Sequence, residues 1–584
     1  MARSCSTAIR NIRATNLYIY KSPPNLKTGN PFIRFGGTPV RKSSTMARTY
    51  ESALRHLDSI QSNRAVTSLF TPPPPSPSPS PSSPSPSTLP SPHSLNALAI
   101  PEMLAWAHRA GLTQPSLAQP RYIHVSGTKG KGSICAYLTS ILISPTAAPV
   151  AGKVGTYTSP HLISVRERIQ LNGEPISREL FAKYFFEVWD ALTASARAEA
   201  LALKAQRENE GGGEGGKEVT EEEISGPASK PFFFRFLTLV ALRAFLGEGV
   251  RSAVIECGIG AEFDSTNILP SEAVTAGVVA QLGLDHVGML GETVPEIAWN
   301  KAGVMKEGRR CFTRKLGGGE GGENGVGEET MKVLRERARE KKAILVEVED
   351  REVEAWGGVK GDGVGSLEGE FQKYNQALAV LAAGEHLRIL EGRPDAQTGE
   401  NSLAVLGKRF SDGLRQARLR GRCETKQDGD LSWFVDGAHT AESLEETAKW
   451  FAAKRKSLPS NTKVVLLFNQ QERDVAKLLS GLLEGIRRVL GVPEIFDYAV
   501  FTRNDVQRRA DNEPERDLSV QQAAADAMQK LCPKTESAVM DNVNEAVEKT
   551  KGLRGDGAKI AILATGSFHL VSALLRTLEP EGEI

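Results

Sequence analysis

The chain has 584 residues, 40% of them hydrophobic, and a formal net charge of +2, so we expect two or three domains with sizeable cores and no nucleic-acid partner. Its six cysteines are scattered without a CxxC pair, which argues against a zinc site or a disulfide framework and favours a reducing compartment. No apolar run reaches the roughly 18 residues of a transmembrane helix, so we expect no stable membrane insertion.

The first acidic residue of the chain is Glu51, and the arginines before it are spread among Ser, Thr and Asn. This composition is typical of a mitochondrial transit peptide, which we place over residues 1–48, although an ordinary disordered basic tail has the same character. Met46 offers a second start, so the sequence predicts a mitochondrial form on the matrix side of the inner membrane and a cytoplasmic form.

Helical spacing of apolar residues predicts helices over residues 50–63 and 95–111. Between them, residues 71–92 are almost entirely Pro and Ser, which predicts an extended, disordered insertion. The Glu/Gly-rich stretch over residues 206–230 is a second predicted disordered insertion.

A phosphate cradle is indicated by residues 122–142, which read YIHVSGTKGKGSICAYLTSIL. A short apolar run, a glycine-rich turn and a helical pattern follow one another, which directs backbone amides and a positive helix end at an anion. The turn differs from GxxxxGK[ST] because Gly132 separates Lys131 from Ser133, and a plain tight turn is the alternative. We expect ATP phosphates to be bound by the turn residues Gly127, Thr128, Lys129, Gly130, Lys131, Gly132 and Ser133.

Three further apolar runs, over residues 153–157, 252–257 and 274–282, end at polar groups. Alternating strands and helices predict an α/β fold with a mostly parallel, P-loop-type ATPase sheet over residues 49–405. Ligands bind at the carboxyl ends of such strands. We therefore expect the phosphate loop to share one edge of the sheet with Ser159, Glu256 and His286.

A second, smaller α/β domain of Rossmann-like type is predicted over residues 406–584. A strand over residues 433–435 leads into Asp436-Gly437-Ala438-His439-Thr440, and the last strand runs into Thr565-Gly566-Ser567-Phe568-His569.

Several ordered motifs resemble the folylpolyglutamate synthase family of the Mur ligase superfamily, in its eukaryotic form. The resemblance covers nearly all of the chain from about residue 50 onward, apart from the low-complexity insertions. Its motifs are GTKGKGS at 127–133, SPHLISVRERIQLNG at 159–173, ECGIGAEFDSTNI at 256–268, LDHVGMLGETVPEIAWNKAGV at 284–304, GRCE at 421–424, DGAHT at 436–440 and TGSFHL at 565–570.

This resemblance implies an ATP-dependent, ADP-forming ligase that adds L-glutamate to the γ-carboxyl of a folate through an acyl phosphate. It implies small-molecule partners only, namely reduced folates, L-glutamate and ATP, and a monomer. Dihydrofolate synthase, alone or combined with the first activity, remains an alternative. A P-loop nucleotide-binding protein without ligase activity is a remote alternative, because it leaves Glu256, His286 and Lys301 unexplained.

The resemblance also assigns the metal site and the catalytic residues. It makes Ser159, Glu256 and His286 ligands of Mg²⁺, and Lys301, once carbamylated, a ligand of a second Mg²⁺; K⁺ or another monovalent cation is a further candidate. Lys131, His286 and Lys301 are the predicted catalytic residues. The residues alone also fit a helix N-cap at Ser159, a core histidine at His286 and an ordinary helix-end lysine at Lys301.

The second domain contributes further predicted contacts. Arg422, Asp436 and His439 would bind ATP, although Asp436 also fits a turn aspartate before glycine. Predicted substrate contacts are Arg166, Arg168, Ser567 and His569, with surface salt bridges as the alternative for the two arginines.

Overall fold

The computed structural model describes residues 48–60, 96, 98–209, 219–317, 325–361, 366–393, 402–471, 474–510, 512–553 and 559–579. Residues 1–47 of the predicted transit segment and the Pro/Ser tract at 71–92 lie outside these residues. The described part begins with Arg48, whose Nη2 lies 2.7 Å from a carboxylate oxygen of Asp190. Thr49 then caps the first helix.

Eight strands form the first sheet. They are β1 (Arg121–Ser126), β2 (Val154–Tyr157), β3 (Ile169–Leu171), β4 (Glu174–Pro175), β5 (Ser252–Glu256), β6 (Val274–Val279), β7 (Arg310–Arg314) and β8 (Ile344–Val348). Their order is β4-β3-β2-β5-β1-β6-β7-β8. The pairs from β2 to β8 are parallel, and β3 and β4 add antiparallel strands at one edge.

The four strands that lead into the predicted polar groups lie side by side, in the order β2, β5, β1 and β6. In the parallel register, Val125 of β1 is opposite Glu256 of β5, and Ser126 is opposite Val279 of β6. These strands are buried along almost their whole length, as continuous apolar runs require in a sheet covered on both faces. The predicted parallel sheet is thus confirmed.

Helices cover both faces of this sheet. In chain order they are α1 (Tyr50–Ser59), α2 (Ala99–Arg109), α3 (Gln114–Leu117), α4 (Lys131–Ile143), α5 (Ala148–Ala151), α6 (Arg178–Asn209), α7 (Glu221–Ser225), α8 (Phe233–Gly247), α9 (Val287–Leu290), α10 (Val294–Lys301), α11 (Val326–Glu340), α12 (Asp350–Trp356), α13 (Gln372–Leu390), α14 (Leu403–Arg409) and α15 (Ser411–Gln416). Short 3-10 turns lie at Val165–Arg168, Pro227–Ser229, Ser265–Ile268 and Ala302–Val304.

Three apolar clusters form the core of this domain; the two largest lie on opposite faces of the sheet, and the third packs β6 and β7 against α10 and α11. Ala253 and Ile255 of β5 belong to one cluster and Val254 to the other, as the alternation of side chains across a strand requires. The first cluster contains aromatic side chains of α6 and α8, such as Phe185 and Phe236. The second encloses α4, so the helix behind the phosphate loop is held rigidly in the core.

The second domain contains a six-stranded sheet. Its strands are β9 (Glu424–Asp428), β10 (Leu431–Val435), β11 (Lys463–Phe468), β12 (Tyr498–Thr502), β13 (Glu536–Met540) and β14 (Ile560–Thr565). Their order is β13-β12-β11-β14-β10-β9. Only β9 pairs in the antiparallel sense among these described strands. Its helices are α16 (Ala441–Lys456), α17 (Val475–Leu490), α18 (Ser519–Leu531), α19 (Val543–Gly552) and α20 (Phe568–Leu578). The predicted second α/β domain is confirmed.

The predicted boundary between residues 405 and 406 requires a correction. Phe410, Leu414 and Ala417 are buried in the same cluster as α4, in the first domain. The hydroxyl of Ser140 in α4 also donates to the carbonyl of Gly413, at 2.6 Å. The first domain therefore extends past α15, because these side chains complete its core.

Of the predicted insertion at 206–230, residues 210–218 lie outside the described residues, and the two flanks on either side of them are ordered. α6 continues to Asn209, and Thr220 caps the short helix α7. Ile224 and Lys230 are buried, and Nζ of Lys230 donates to the hydroxyl of Thr193 at 2.9 Å. These described flanks pack on α6 because they carry apolar and hydrogen-bonding groups that average composition conceals.

No helix in the described ranges is both long and apolar enough to cross a membrane.

Candidate active site

The phosphate loop, residues 127–133, joins β1 to α4 and depends on two glycines. Gly127 and Gly130 have φ of 141° and 85°. A Cβ at Gly127 would lie 2.6 Å from Cβ of Ala280, and one at Gly130 would lie 2.4 Å from Oδ1 of Asn375. Both positions therefore require glycine for backbone conformation and for space.

Some backbone amides of the phosphate loop donate hydrogen bonds within the protein, and others have no acceptor in the helix that follows. Those of Thr128 and Lys129 donate to the carbonyl of Gln281, at 2.9 and 3.1 Å, so both are used within the protein. The amides of the first turn of α4, up to Ser133, have no acceptor within the helix. The start of α4, including Gly132, is therefore the part of the loop that offers amides without an acceptor in the helix, as a phosphate cradle requires.

Two lysine side chains meet at the first carbonyl of the loop. Nζ of Lys131 lies 2.9 Å and Nζ of Lys301 lies 2.8 Å from the carbonyl oxygen of Gly127. Burial, together with the positive charge of Lys131, lowers the pKa of Lys301 to about 7. A substantial fraction of Lys301 is consequently an uncharged amine near neutral pH.

Glu256 and Ser159 come together at the neighbouring strand ends. The amide of Ser159 donates to Oε2 of Glu256 at 3.0 Å. Burial raises the pKa of the Glu256 carboxyl, while the positive charges of Lys131 and Arg422 oppose that rise. A carboxylate in such a dry position is stabilised by a cation beside it.

His286 occupies the turn before α9, in a left-handed conformation with φ of 50°. Its Nε2 lies 3.9 Å from a carboxylate oxygen of Asp285, and its side chain is 44% exposed. Across the described ranges, no three His, Cys, Asp or Glu side chains are close enough to share a metal ion. The alternative of a core histidine is wrong for His286, because nearly half of its side chain is exposed.

Arg166 and Arg168 are buried, so neither forms the surface salt bridge considered as an alternative. Nη1 of Arg166 donates to the carbonyl of Ile176 at 3.0 Å, which is a structural role. Nε of Arg168 donates to Nδ1 of His161 at 2.8 Å. Local sequence could not separate the two arginines, because their different partners are set by tertiary packing.

The carboxylate of Asp436 is occupied by the protein itself. It accepts hydrogen bonds from the amides of Cys423 and Ala438, at 2.7 and 2.9 Å, and from the hydroxyl of Thr447 at 2.9 Å. A carboxylate accepts about four hydrogen bonds, so little capacity remains for a ribose. The structure thus favours the turn-aspartate alternative over an ATP contact.

The other two predicted ATP residues of the second domain flank this turn. Nδ1 of His439 donates to the carbonyl of Gly437 at 3.0 Å, which sets the orientation of its ring. The guanidinium of Arg422 lies 5.1 Å from the ring centre of Phe568 and is close enough to Glu256 to affect its pKa. Arg422 therefore reaches from the second domain toward the site on the first.

A cavity of about 430 Å³ lies between the two domains. Arg168 and His161 line it from the first domain, and His569 and Arg576 line it from the second. Burial and the charge of Arg168 lower the pKa of His161 to about 3, so this histidine is neutral. With two guanidinium groups and no carboxylate in its lining, the cavity suits an anionic ligand.

Ser567 does not line this cavity. Its hydroxyl oxygen caps α20, accepting from the amides of His569 and Leu570 at 3.1 and 3.4 Å. The structure therefore gives Ser567 a capping role, and His569 is the member of this pair that faces the cavity.

Leu162 is a domain contact that sequence reasoning missed. It is 5% exposed and belongs to an apolar cluster of the second domain, beside Val571. The hydroxyl of Ser572 donates to its carbonyl, and Nη2 of Arg576 donates to the carbonyl of Ile163 at 2.8 Å. The available signal was a leucine-isoleucine pair in an otherwise polar loop.

Glu167 was also missed as the residue that shapes this loop. Its carboxylate accepts from the amides of Leu162, Ile163 and Ser164, at 2.8, 2.7 and 2.5 Å. The loop that begins at Ser159 is thus held by Glu167 on one domain and by Leu162 in the other.

Comparisons with known proteins agree with this architecture. The family model described as "Dihydrofolate synthetase, C-terminal domain" matches residues 419–577, which is nearly the whole second domain. Folylpolyglutamate synthase of Saccharomyces cerevisiae (strain ATCC 204508 / S288c) is 35% identical over 547 residues, covering 91% of this chain and 87% of the yeast protein.

Solved structures share the two-domain fold. A Mycobacterium tuberculosis folylpolyglutamate synthase complexed with ADP and AMPPCP has a TM-score of 0.57 and 20% identity, covering 83% of this chain and 96% of that one. Escherichia coli FolC in complex with DHPP and ADP has a TM-score of 0.53 and 20% identity, covering 84% and 98%. The 35% identity to the yeast enzyme, over 91% of this chain and 87% of the yeast protein, establishes that the chain belongs to the folylpolyglutamate synthase family of ATP-dependent ligases.

Proposed function

We propose that this protein joins L-glutamate to the γ-carboxyl group of a reduced folate through an acyl phosphate. The observation that carries the proposal is the placement of the phosphate loop, Lys131, Glu256 and an arginine-lined cavity at the junction of the two domains. A ligase of this kind needs a nucleotide phosphate and an anionic substrate in one enclosed place.

The reaction has two displacements. A γ-carboxylate oxygen bonds to the terminal phosphorus of ATP as the bond to ADP breaks. The glutamate nitrogen, as the free amine, then bonds to the acyl carbon, phosphate leaves, and the nitrogen loses one proton to solvent and keeps one as the amide N–H. No enzyme nucleophile is required, so the protein acts by orientation and by stabilising charge.

The chain supplies each of these effects from a different element. The amides at the start of α4 and the side chain of Lys131 bind phosphate oxygens. Arg168 and Arg576, in the cavity, attract the carboxylates of folate and glutamate. Leu162, buried in the second domain, keeps the domains together so that water is excluded.

A Mg²⁺ ion fits beside Glu256 and the hydroxyl of Ser159. Mg²⁺ binds one or two carboxylates and completes its shell with water and substrate phosphates, so a cage of three protein ligands is unnecessary. When bound, it would neutralise charge on the phosphoryl group that is transferred. His286 and a carbamate on Lys301 are the further ligands we propose, the latter at a second Mg²⁺, and a monovalent cation such as K⁺ also belongs to the proposal.

Glu256→Gln is expected to lose Mg²⁺-dependent activity while binding of folate without ATP is largely kept. The amide has almost the same shape as the carboxylate but supplies no negative charge to the metal. A Mg²⁺ titration of the rate, alongside folate binding measured by fluorescence, checks this. Glu370→Gln is the control, because that side chain is 93% exposed. An unchanged Mg²⁺ requirement and rate in Glu256→Gln would remove Glu256 from the metal site.

Dihydrofolate synthase activity is the second candidate, favoured by the family model that matches residues 419–577. The two activities differ in the acceptor, which is a folate in one and dihydropteroate in the other. The deciding assay gives purified protein ATP and labelled glutamate with either tetrahydrofolate or dihydropteroate. Product with tetrahydrofolate supports the first proposal, product with dihydropteroate alone replaces it, and no ATP-dependent product with either acceptor contradicts both.

The partners we propose are these small molecules, with no nucleic acid, and the protein acts as a monomer. The net charge of +2 supports the absence of a nucleic-acid partner, because a nucleic-acid-binding surface needs a strong excess of basic residues.

We also propose two locations, mitochondrial for the longer product and cytoplasmic for a product that starts at Met46. A fluorescent reporter fused to residues 1–50 is expected to enter mitochondria, because this segment is basic and contains no Asp or Glu. The same reporter with the arginines of that segment changed to Gln is the control. Diffuse cytosolic fluorescence of the first fusion would refute the targeting proposal.

A further inference from the structure

The side chain of Lys129 connects the phosphate loop to the second domain. Its Nζ donates a hydrogen bond to the hydroxyl of Thr440 and lies 3.9 Å from a carboxylate oxygen of Glu442. Thr440 is the N-cap of α16, and Glu442 is in the first turn of that helix. One side chain of the nucleotide-binding loop therefore contacts the beginning of a helix in the other domain.

Lys129 and Lys131 are two residues apart, yet their ammonium groups have different partners. Nζ of Lys131 donates back to the loop, at the carbonyl of Gly127. The amide of Lys129 is held by the carbonyl of Gln281, which fixes the backbone from which its side chain extends to Thr440. Within the described structure, the expected phosphate contact thus fits Lys131 better than Lys129.

Thr440 uses its hydroxyl fully. The oxygen accepts from Lys129 and from the amide of Ser443 at 3.3 Å, and it is 2.9 Å from Oγ of Ser443, which itself donates to the carbonyl of Thr440. A hydroxyl has one donor and two acceptor positions, and all three are occupied. Because Thr440 is only 2% exposed, water is a poor substitute for a lost partner.

The charge of Lys129 is placed against the helix dipole. The start of α16 carries a partial positive charge, so an ammonium group there does not stabilise the helix, and Glu442 offsets only part of the repulsion. The contact therefore serves the relative position of the two domains more than the stability of α16.

We propose that Lys129 and Thr440 form an interdomain latch that positions the phosphate loop against residues 436–439 of the second domain. Both are positioning residues that act through Lys131 and the first turn of α4. The proposal rests on the proposed ligase function for its kinetic test.

The test is a double-mutant cycle of wild type, Lys129→Met, Thr440→Val and the double variant, with kcat and KM for ATP measured during glutamylation of tetrahydrofolate. Each single variant is expected to lower kcat/KM for ATP about tenfold, which is about 1.4 kcal/mol. The kcat/KM of the double variant is expected to be no lower than that of the less active single variant, because both changes break the same contact. If Lys129→Met has the same effect in the wild-type and Thr440→Val backgrounds, Lys129 acts independently and the latch is wrong.

Loss of the helix cap is separated from loss of the latch by further variants. Thr440→Ser keeps the hydroxyl and is expected to rescue most of the kinetic defect. Thr220→Val removes the equivalent cap of α7 and is expected to affect only thermal stability. If Thr440→Val fails to fold, Thr440→Gly takes its place in the cycle, because glycine is tolerated at helix N-caps and also removes the hydroxyl that accepts from Lys129.

Calorimetric titration of the same proteins with ADP gives a readout that does not need turnover. Non-additive losses of ADP affinity support the latch even if wild type glutamylates neither acceptor, a result that would contradict only the proposed function. Additive losses of ADP affinity in an active enzyme would overturn the latch alone.

Discussion

Lys131→Ala is expected to reduce kcat by more than about tenfold, equivalent to more than about 1.4 kcal/mol of transition-state stabilisation, with turnover falling toward zero. The Lys131 ammonium lies at the start of α4, where phosphate charge must be neutralised, and it also faces the buried Glu256. Removing it takes away a charge-assisted contact that no neighbouring side chain replaces by small adjustment.

The fold should survive this change. The side chain of Lys131 gives up a hydrogen bond to the carbonyl of Gly127 at 2.9 Å and a longer one to the carbonyl of Thr128 at 3.5 Å, a loss of about 1 kcal/mol of stability. Lys449→Ala, on the surface of α16, is the control for a general effect of losing a lysine. Steady-state kinetics and thermal unfolding of both variants check the prediction. A Lys131→Ala enzyme that keeps more than about a tenth of wild-type kcat would contradict the phosphate-loop assignment.

Lys301→Ala is expected to be nearly inactive, and activity of the wild type is expected to depend on CO₂. Lys301 is 2% exposed and lies directly beneath the loop, with Nζ 2.8 Å from the carbonyl of Gly127. An ammonium there repels a metal ion, whereas the carbamate formed from an uncharged amine and CO₂, with release of a proton, attracts one. A short carboxylic acid in the buffer should restore part of the rate in Lys301→Ala by occupying the vacated position.

The pH dependence follows from the lowered pKa of Lys301. Only the uncharged amine reacts with CO₂, and its fraction rises as pH increases through about 7. Activation by CO₂ should therefore weaken below that pH.

Stability should respond to pH with the same sign. In CO₂-free buffer the folded protein loses this proton near pH 7, but the unfolded chain keeps it until about 10.5. The unfolded state therefore binds more protons between those values, so the contribution of Lys301 to the free energy of unfolding rises with pH in this window. Lys301→Ala should remove that part of the pH dependence.

Lys306 provides a matched control for the modification. Burial also lowers its pKa, to about 8, but its Nζ lies 3.0 Å from Oδ1 of Asn267, away from the loop. Lys306→Ala should leave the CO₂ dependence in place. Density at Lys301 in a high-resolution crystal structure decides the matter directly. An unmodified ammonium paired to a carboxylate in an active, nucleotide-bound crystal would show that this chain does not use the modification.

The sequence was sufficient to predict the parallel sheet, the second α/β domain and the ligase family. Continuous apolar runs specify buried strands, and parallel strands place their carboxyl ends at one edge, so the shared edge of the loop, Ser159, Glu256 and His286 could be predicted. The order of β2, β5, β1 and β6 within the sheet was not predicted and comes from the structure. The glycine-rich turn could also be read locally, because the conformations of Gly127 and Gly130 exclude other residues.

Several residue roles could not be read in this way. Arg166 and Arg168 share a motif, but one is a buried structural group and the other faces the interdomain cavity. Asp436 and Ser567 have polar side chains suited to substrates, yet their oxygens are used by nearby backbone amides.

The amino-acid order by itself determined the elements and the phosphate loop of this protein, because strand burial, helix periodicity and glycine conformation depend on neighbours in the chain. The tertiary structure decided which charged groups face one another. Lys301 meets Gly127, Leu162 enters the second domain, and Lys129 meets Thr440, all across long stretches of sequence. Such pairs depend on how two separately formed sheets pack, and burial at that junction, rather than local pattern, sets the pKa and the partner of each side chain.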